Sequence, residues 1–248
     1  MLRNTLQRLS RDVVLKRRLP SEFGGQPIFV SPDSALHYWK PGLKNADPEL
    51  LDVVRKFVRR GTVVWDVGAN VGLFSFSAAS RGAQVYALEA DSFLVGLLRR
   101  SARLNGLPVK VIPLAVSDRV DLAQFHIASR GRSANHMGLG MSDAGGTRWT
   151  EIVPCANIDW LAERLPKPDF IKIDVEAMEN AVLRGGIGLL RERHPIIFCE
   201  VNEEPESRRE TTRIFHDLGY RLFNVKSHQW VDSAVFSTLA VYGDLPQA

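Results

Sequence analysis

Cysteine is nearly absent. Cys155 and Cys199 are far apart and in no CxxC, so neither a disulfide framework nor a thiolate metal site is legible, and a reducing, cytoplasmic setting is the expectation. Long apolar runs are missing too: Pro195–Cys199 is strand-length, far short of the about 20 residues a membrane-spanning helix needs. The basic opening segment lacks the small-residue cleavage site that follows the apolar core of a secretory signal. A charge excess is missing from most of the chain. Lys and Arg number 32 against 28 Asp and Glu, a net +4. Residues 1–18 alone hold Arg3, Arg8, Arg11, Lys16, Arg17 and Arg18 against Asp12, which leaves the remainder one unit negative. A basic body that grips phosphates is therefore disfavoured, and nucleic acid with it.

What is present is an ordinary globular composition, 45% hydrophobic and 24% charged over 248 residues. Leu2, Leu6, Leu9 and Val13 recur at helical spacing between arginines, which predicts an amphipathic basic helix. Such a helix either docks on the protein's own core or meets an anionic membrane surface or acidic partner. Pro27–Val30 and Ala35–Trp39 read as short strands. Asp47-Pro48-Glu49 reads as a cap, first-turn proline and first-turn acid of a helix that Gly61 stops. Residues 1–60 are thus expected to form an N-terminal helix and cap segment, and residues 61–248 the main domain.

From residue 62 onward strands and helices alternate. Strands are expected at Thr62–Val67, Gln84–Leu88, Val109–Leu114, Asp169–Ile173 and Ile196–Val201. Helices are expected at Gly72–Ser80, Asp91–Leu104, Asn157–Arg164 and Met178–Leu190. Several of the strands are continuously apolar, as in a parallel sheet covered on both faces. A helix Glu206–Leu218 and strands Tyr220–Val225 and Val235–Tyr242 finish the chain, the last running antiparallel. Strands at Leu122–Ile127 and Arg148–Val153 flank Ala128–Thr147, a twenty-residue stretch rich in Gly, Ser, Asn and Asp. A loop of that length is a binding loop or lid, or else simply unstructured. With residues 1–60 it is expected to roof the pocket. His136, within it, is either a solvated loop histidine or a substrate contact.

The segment Val63–Ser75, VVWDVGANVGLFS, runs from an apolar strand through a glycine turn into a helix. The dinucleotide fingerprint G-x-G-x-x-G, started at Gly68, would need glycine where Asn70 and Leu73 stand. That counts against a nicotinamide-dependent oxidoreductase, the first alternative; a non-catalytic binding module on the same fold is the second. The register D-x-G-x-N-x-G suits S-adenosylmethionine instead, which carries no phosphate. Asp66 and the backbone at Gly68 can receive its amino-acid end, and Glu89, closing the next strand, can accept both ribose hydroxyls.

These segments, with ALEAD, RLNG, PLAVSD, NIDWL, PDFIKIDVEAMENAVLRGG and PIIFCEVN, resemble the FkbM-type S-adenosylmethionine-dependent methyltransferases over residues 60–202. The resemblance implies a Rossmann-like class I fold, with a mostly parallel seven-stranded sheet, an antiparallel final strand, and here an N-terminal helical extension. It implies that Asp66, Gly68, Asn70 and Gly72 line the methionine end and Glu89 takes the ribose. Asn105 and the Ala115–Asp118 turn would lie near the cofactor, with the Val116 backbone or the Ser117 and Asp118 side chains facing the adenine. Ala177 stands where the family usually has glycine.

Methyl transfer needs an aligned nucleophile and, for a hydroxyl, a base. Asp174 and Glu176 follow one apolar strand and Glu200 ends its neighbour, and ligands bind beyond the carboxyl ends of such strands. Glu176 is the candidate base or hydroxyl anchor, with Asp174 positioning the nucleophile or meeting the cofactor. The alternative for Glu176 and Glu179 is that they are acids favoured by a helix dipole. No ligand set for a metal is readable. The expected acceptor is a hydroxyl on a small molecule, glycan or lipid-linked sugar.

Overall fold

The computed structural model describes residues 2–137 and 146–245. Helix α1 (Leu2–Leu9) precedes an antiparallel pair, β1 (Leu15–Arg18) and β2 (Pro27–Val30). The basic helix therefore ends earlier than the spacing to Val13 suggests. Lys16 to Arg18 are drawn into a strand because Arg17 spends its guanidinium on the carbonyls of Tyr38, Trp39 and Lys40, at 2.8–3.1 Å. Leu36–Trp39 form a 3-10 turn rather than the expected strand. Asp47 then caps α2 (Pro48–Phe57), its Oδ1 accepting from the Leu50 amide at 2.9 Å.

The alternating part runs β3 (Val63–Val67), α3 (Leu73–Ser80), β4 (Gln84–Glu89), α4 (Ser92–Asn105) and β5 (Val109–Pro113). A smaller sheet interrupts it, built from β6 (Ala115–Ser117), β7 (Asp121–Ala128), β8 (His136–Met137) and β9 (Thr147–Asn157). The expected loop 128–147 thus holds a turn at Arg132–Ala134 and the strand β8; its residues 138–145 lie outside the described residues.

The chain continues with α5 (Ile158–Ala162), β10 (Phe170–Ile173), α6 (Glu179–Arg184), α7 (Ile187–Arg193) and β11 (Ile196–Glu200). It ends with α8 (Pro205–Asp217), β12 (Tyr220–Asn224), β13 (Gln229–Val231) and β14 (Ser237–Tyr242). The single helix expected over Met178–Leu190 is two, broken at Gly185-Gly186. A Cβ on Gly185 would lie 2.3 Å from the Ser117 carbonyl oxygen, and one on Gly186 would lie 2.9 Å from Ile158. Close approach to β6 and α5 selects the glycines, and the glycines end the helix.

The main sheet has the order β13-β12-β14-β11-β10-β3-β4-β5. β5, β4, β3, β10 and β11 are mutually parallel, and β14 runs antiparallel to both β11 and β12. This is the doubly wound, Rossmann-like order with an antiparallel strand inserted near one edge. The seven expected strands are present, and β13 adds an eighth by folding back on β12.

Strand alternation divides the core in two. Val64, Val85, Phe170 and Phe198 face one side, where they pack with α2, α3, α4 and residues 19–58. Trp65, Leu88, Ile171 and Ile197 face the other, toward α5 to α8. Residues 19–58 therefore share a core with the sheet. Among the described residues no helix is long and apolar enough to cross a membrane.

Candidate active site

The first β-to-α turn sets the geometry. Gly68 has φ +75°, and a Cβ there would sit 1.9 Å from the Asp174 carbonyl oxygen. Only glycine lets the turn after β3 lie against the turn after β10. Asn70 follows with φ +53°, a left-handed conformation asparagine tolerates, and its Oδ1 accepts from the Ser34 hydroxyl. Glu89, at the neighbouring strand end, takes one amide from this turn and one from its own: the Asn70 amide donates to Oε2 at 2.7 Å, and the Asp91 amide to Oε1 at 2.8 Å.

Beneath that turn lies a buried ion pair. Lys172 and Asp66 are register partners across β10 and β3, and their side chains meet at 3.3 Å. Asp66 Oδ2 accepts from Ser75 at 2.6 Å. Lys172 Nζ also donates to the Gly68 carbonyl at 2.8 Å and pairs with Asp174 at 3.0 Å. Burial works against the lysine charge, but Asp174, Asp66 and Glu200 outweigh it and hold the pKa above that of an ordinary lysine.

A cavity of about 280 Å³ opens over the carboxyl ends of β3, β4, β10 and β11. Gly68, Asn70, Glu89, Val116, Asp174 and Glu176 line it, and five other expected residues do not. Asp66 is fully buried below the floor, where its partners are Lys172 and Ser75. Gly72 begins α3, where a Cβ would come within 2.6 Å of Leu98 and Phe76; its role is packing. Asn105 ends α4, which starts at the cavity and runs away from it for 14 residues, about 20 Å. There its Nδ2 donates to the Pro27 carbonyl at 2.8 Å. Ser117 and Asp118 lie past Val116 and off the cavity wall: Ser117 is buried and its Oγ donates to Asp118 Oδ1 at 3.3 Å, and Asp118 pairs with Arg184 at 3.5 Å.

Several lining residues escaped sequence reasoning. Lys172 carried a readable signal, a charge inside the apolar run Phe170–Ile173. Tyr38, Asp47 and Leu50 from the N-terminal segment, and Asn135 and Met137 from the long loop, carried no signal of their own, although both segments were expected over the pocket; with His136, weighed as a substrate contact, they form part of the cavity wall. His136 is buried there. The loop is clamped by Arg132, which donates to Asp33 at 3.0 Å and to both oxygens of Asp91 at 2.7 and 2.9 Å. Its guanidinium lies 4.4 Å over the Phe93 ring.

The carboxylates share one electrostatic character. Burial pushes Glu89 up to about 7 against the opposing pull of two backbone amides. Burial, then Asp174, raises Glu200 and Glu176; Glu176 remains solvent-exposed at the cavity mouth. Glu179, buried at 4% exposure behind the wall, is pushed up to about 8 by the same causes in the same order, with backbone amides opposing. Carboxylates poised near neutrality are efficient proton acceptors. The turn that carries Glu176 holds Ala177 at φ +58°, the left-handed region that favours glycine.

The family model for the methyltransferase FkbM domain matches residues 66–222, more than half of the chain and every strand end around the cavity. The chain belongs to the FkbM methyltransferase family. Among solved structures, the FkbM methyltransferase of Methylobacillus flagellatus KT is similar at 16% identity and TM-score 0.47, over 73% of this chain and 44% of that one. A tRNA (uracil-54, C5)-methyltransferase of Pyrococcus abyssi, solved with S-adenosyl-L-homocysteine, is similar at 15% identity and TM-score 0.48, over 92% and 43%. A SAM-dependent methyltransferase of Aquifex aeolicus is similar at 15% and 0.46, over 85% and 98%. The chain spans less than half the length of the first two. These likenesses are distant, and membership rests on the domain match. No curated protein matches the chain in sequence. Tyr38, Asp47 and Leu50 precede the matched region, so this part of the FkbM cavity wall is supplied from outside the family domain.

Proposed function

We propose that this FkbM-family chain is an S-adenosylmethionine-dependent methyltransferase acting on a hydroxyl group, with Glu176 as the general base. One observation carries the reading. A single cavity has Glu89 at one strand end and Asp174, Glu176 and Glu200 at two others, around a turn that only glycine can make.

The residues fit the cofactor by their donor and acceptor chemistry. A carboxylate offers about four lone-pair sites, and backbone amides take only two on Glu89. The remaining two suit a vicinal diol. Gly68 and its neighbours, pinned by Lys172, present bare backbone to the amino-acid end, while Leu94 and Val116 offer apolar wall to an adenine. When bound, S-adenosylmethionine supplies an electrophilic methyl group on a sulfonium.

The chain's own residues do the rest. Asp174 orients the acceptor hydroxyl, and Glu176 takes its proton at the hydroxyl oxygen. Tyr38 and Leu50 cover the cavity from the N-terminal side and exclude water. The acceptor is a hydroxylated small molecule, glycan or lipid-linked sugar; the near-neutral charge of residues 19–248 disfavours nucleic acid.

Calorimetry with S-adenosylmethionine tests the cofactor. Glu89→Gln is expected to weaken binding by at least about tenfold, the cost of a charge-assisted hydrogen-bond pair. Equal affinity in wild type and variant removes Glu89 from the site. A wild-type protein that takes up NADH instead returns the oxidoreductase reading, and one that binds S-adenosylmethionine without turning over any hydroxylated acceptor returns the binding module.

A further inference from the structure

The basic N-terminal segment forms a surface that the reaction does not use. On α1, Leu6 and Leu9 lie three residues apart, hence on one face, and they are 40% and 64% exposed. Trp39 stands beside them at 40% exposure, tied to the end of the helix by its Nε1 donating to Ser10 Oγ at 2.9 Å. Three large apolar side chains are thus held at one corner of the molecule, one of them fixed to the other two through Ser10. Arg8, Arg11 and Lys40, all exposed, come from the same helix, its exit and the residue after Trp39. The neighbouring acid, Asp12, is within 3.5 Å of Arg132.

An exposed apolar cluster bordered by cations matches an anionic lipid surface in both its parts. The apolar side chains enter the headgroup boundary, and the arginines and lysines meet lipid phosphates and carboxylates. The charge balance favours this occupant: the +5 of residues 1–18 contrasts with a body that is one unit negative, so attraction is confined to this corner and orients the molecule. From the exposed corner, we infer that α1 and Trp39 form a peripheral docking site for anionic membranes. The site also lies beside a polar groove of about 380 Å³, lined by Gln7 and Arg130, which shares Ala35, His37 and Ser133 with the wall of the central cavity. Docking through α1 therefore brings a side of that cavity close to the bilayer surface.

The inference stands apart from the methyl-transfer reading, because its test needs neither cofactor nor acceptor. The full chain is sedimented with vesicles of phosphatidylcholine alone and of phosphatidylcholine mixed with phosphatidylserine. Binding to the mixed vesicles, about tenfold weaker for pure phosphatidylcholine and weakened by salt, is expected. Arg8→Glu with Arg11→Glu, and separately Leu6→Ser with Leu9→Ser, should each lower binding about tenfold while circular dichroism keeps the wild-type melting curve. Indifference to lipid charge, or unchanged binding in both double variants, overturns the site. So does retention on an acidic polypeptide without vesicle binding, which assigns the surface to a protein partner.

Discussion

Asp66 and Lys172 show how one residue's role depends on another strand. Alone, an aspartate at the end of a strand before a glycine turn reads as a ligand contact; opposite Lys172 it becomes the counter-ion that keeps a lysine charged beneath the turn. Lys172→Met is therefore expected to leave Asp66 as an unpaired buried charge and to cost about 3–5 kcal/mol, read from urea midpoints. At the cavity mouth, Glu176→Gln is expected to lower turnover by about 10²–10⁴ while calorimetric affinity for S-adenosylmethionine holds. Wild-type turnover would remove it from the mechanism. Ala177, in a left-handed conformation, carries a steric cost of about 1–2 kcal/mol. Ala177→Gly, after the greater unfolded-state freedom of glycine is subtracted, should raise stability by up to about 1 kcal/mol in thermal melts.

Between elements, the decisive contacts join parts distant in sequence. The Gly68 turn touches the turn after β10, and Arg132 ties the long loop to the N-terminal segment through Asp33 and to the start of α4 through Asp91. Arg132 is 4% exposed, so Arg132→Ala leaves two buried carboxylates short of a partner. Arg148 and Asn135 compensate in part, and a loss of about 3 kcal/mol is expected. A loss under half that value would mean the clamp is held by Arg148 instead. The main strand and helix pattern of residues 62–242 was readable because the parallel strands are mostly apolar and most of the helices start at a cap or glycine. The broken helix at Gly185-Gly186 was not, because its cause is the approach of β6 and α5. Residues 1–60 were expected over the pocket as a segment, but which side chains of residues 35–50 face it was not readable, since a 3-10 turn and a helix start reach it by docking alone.

Across the whole molecule the buried carboxylates set an unusual pH response. Glu89 moves from 4.5 in the open chain to about 7 in the folded one, and Glu179 to about 8. The folded state then holds more protons than the unfolded chain between those values, so stability falls as pH rises through the window. Scanning calorimetry should find a lower Tm at the upper end of that window than at the lower, and Glu179→Gln should flatten the slope. A Tm that climbs with pH would show that both groups are ionised at little cost.

By itself the sequence determined the alternating α/β order, the family of its central segment, the glycine turn and the acids at four strand ends. All of these are local: each depends on residues within one strand, turn or cap. Only the tertiary structure decided which of those residues share a space. It put Asp66 under the floor, left Asn105 a helix length away, kept Ser117 and Asp118 off the cavity wall, and brought Lys172, Tyr38 and Asp47 to the cavity. The reason is geometric: a strand's alternation and a helix's length choose which face and which end a side chain reaches, and packing against distant segments chooses what it meets there.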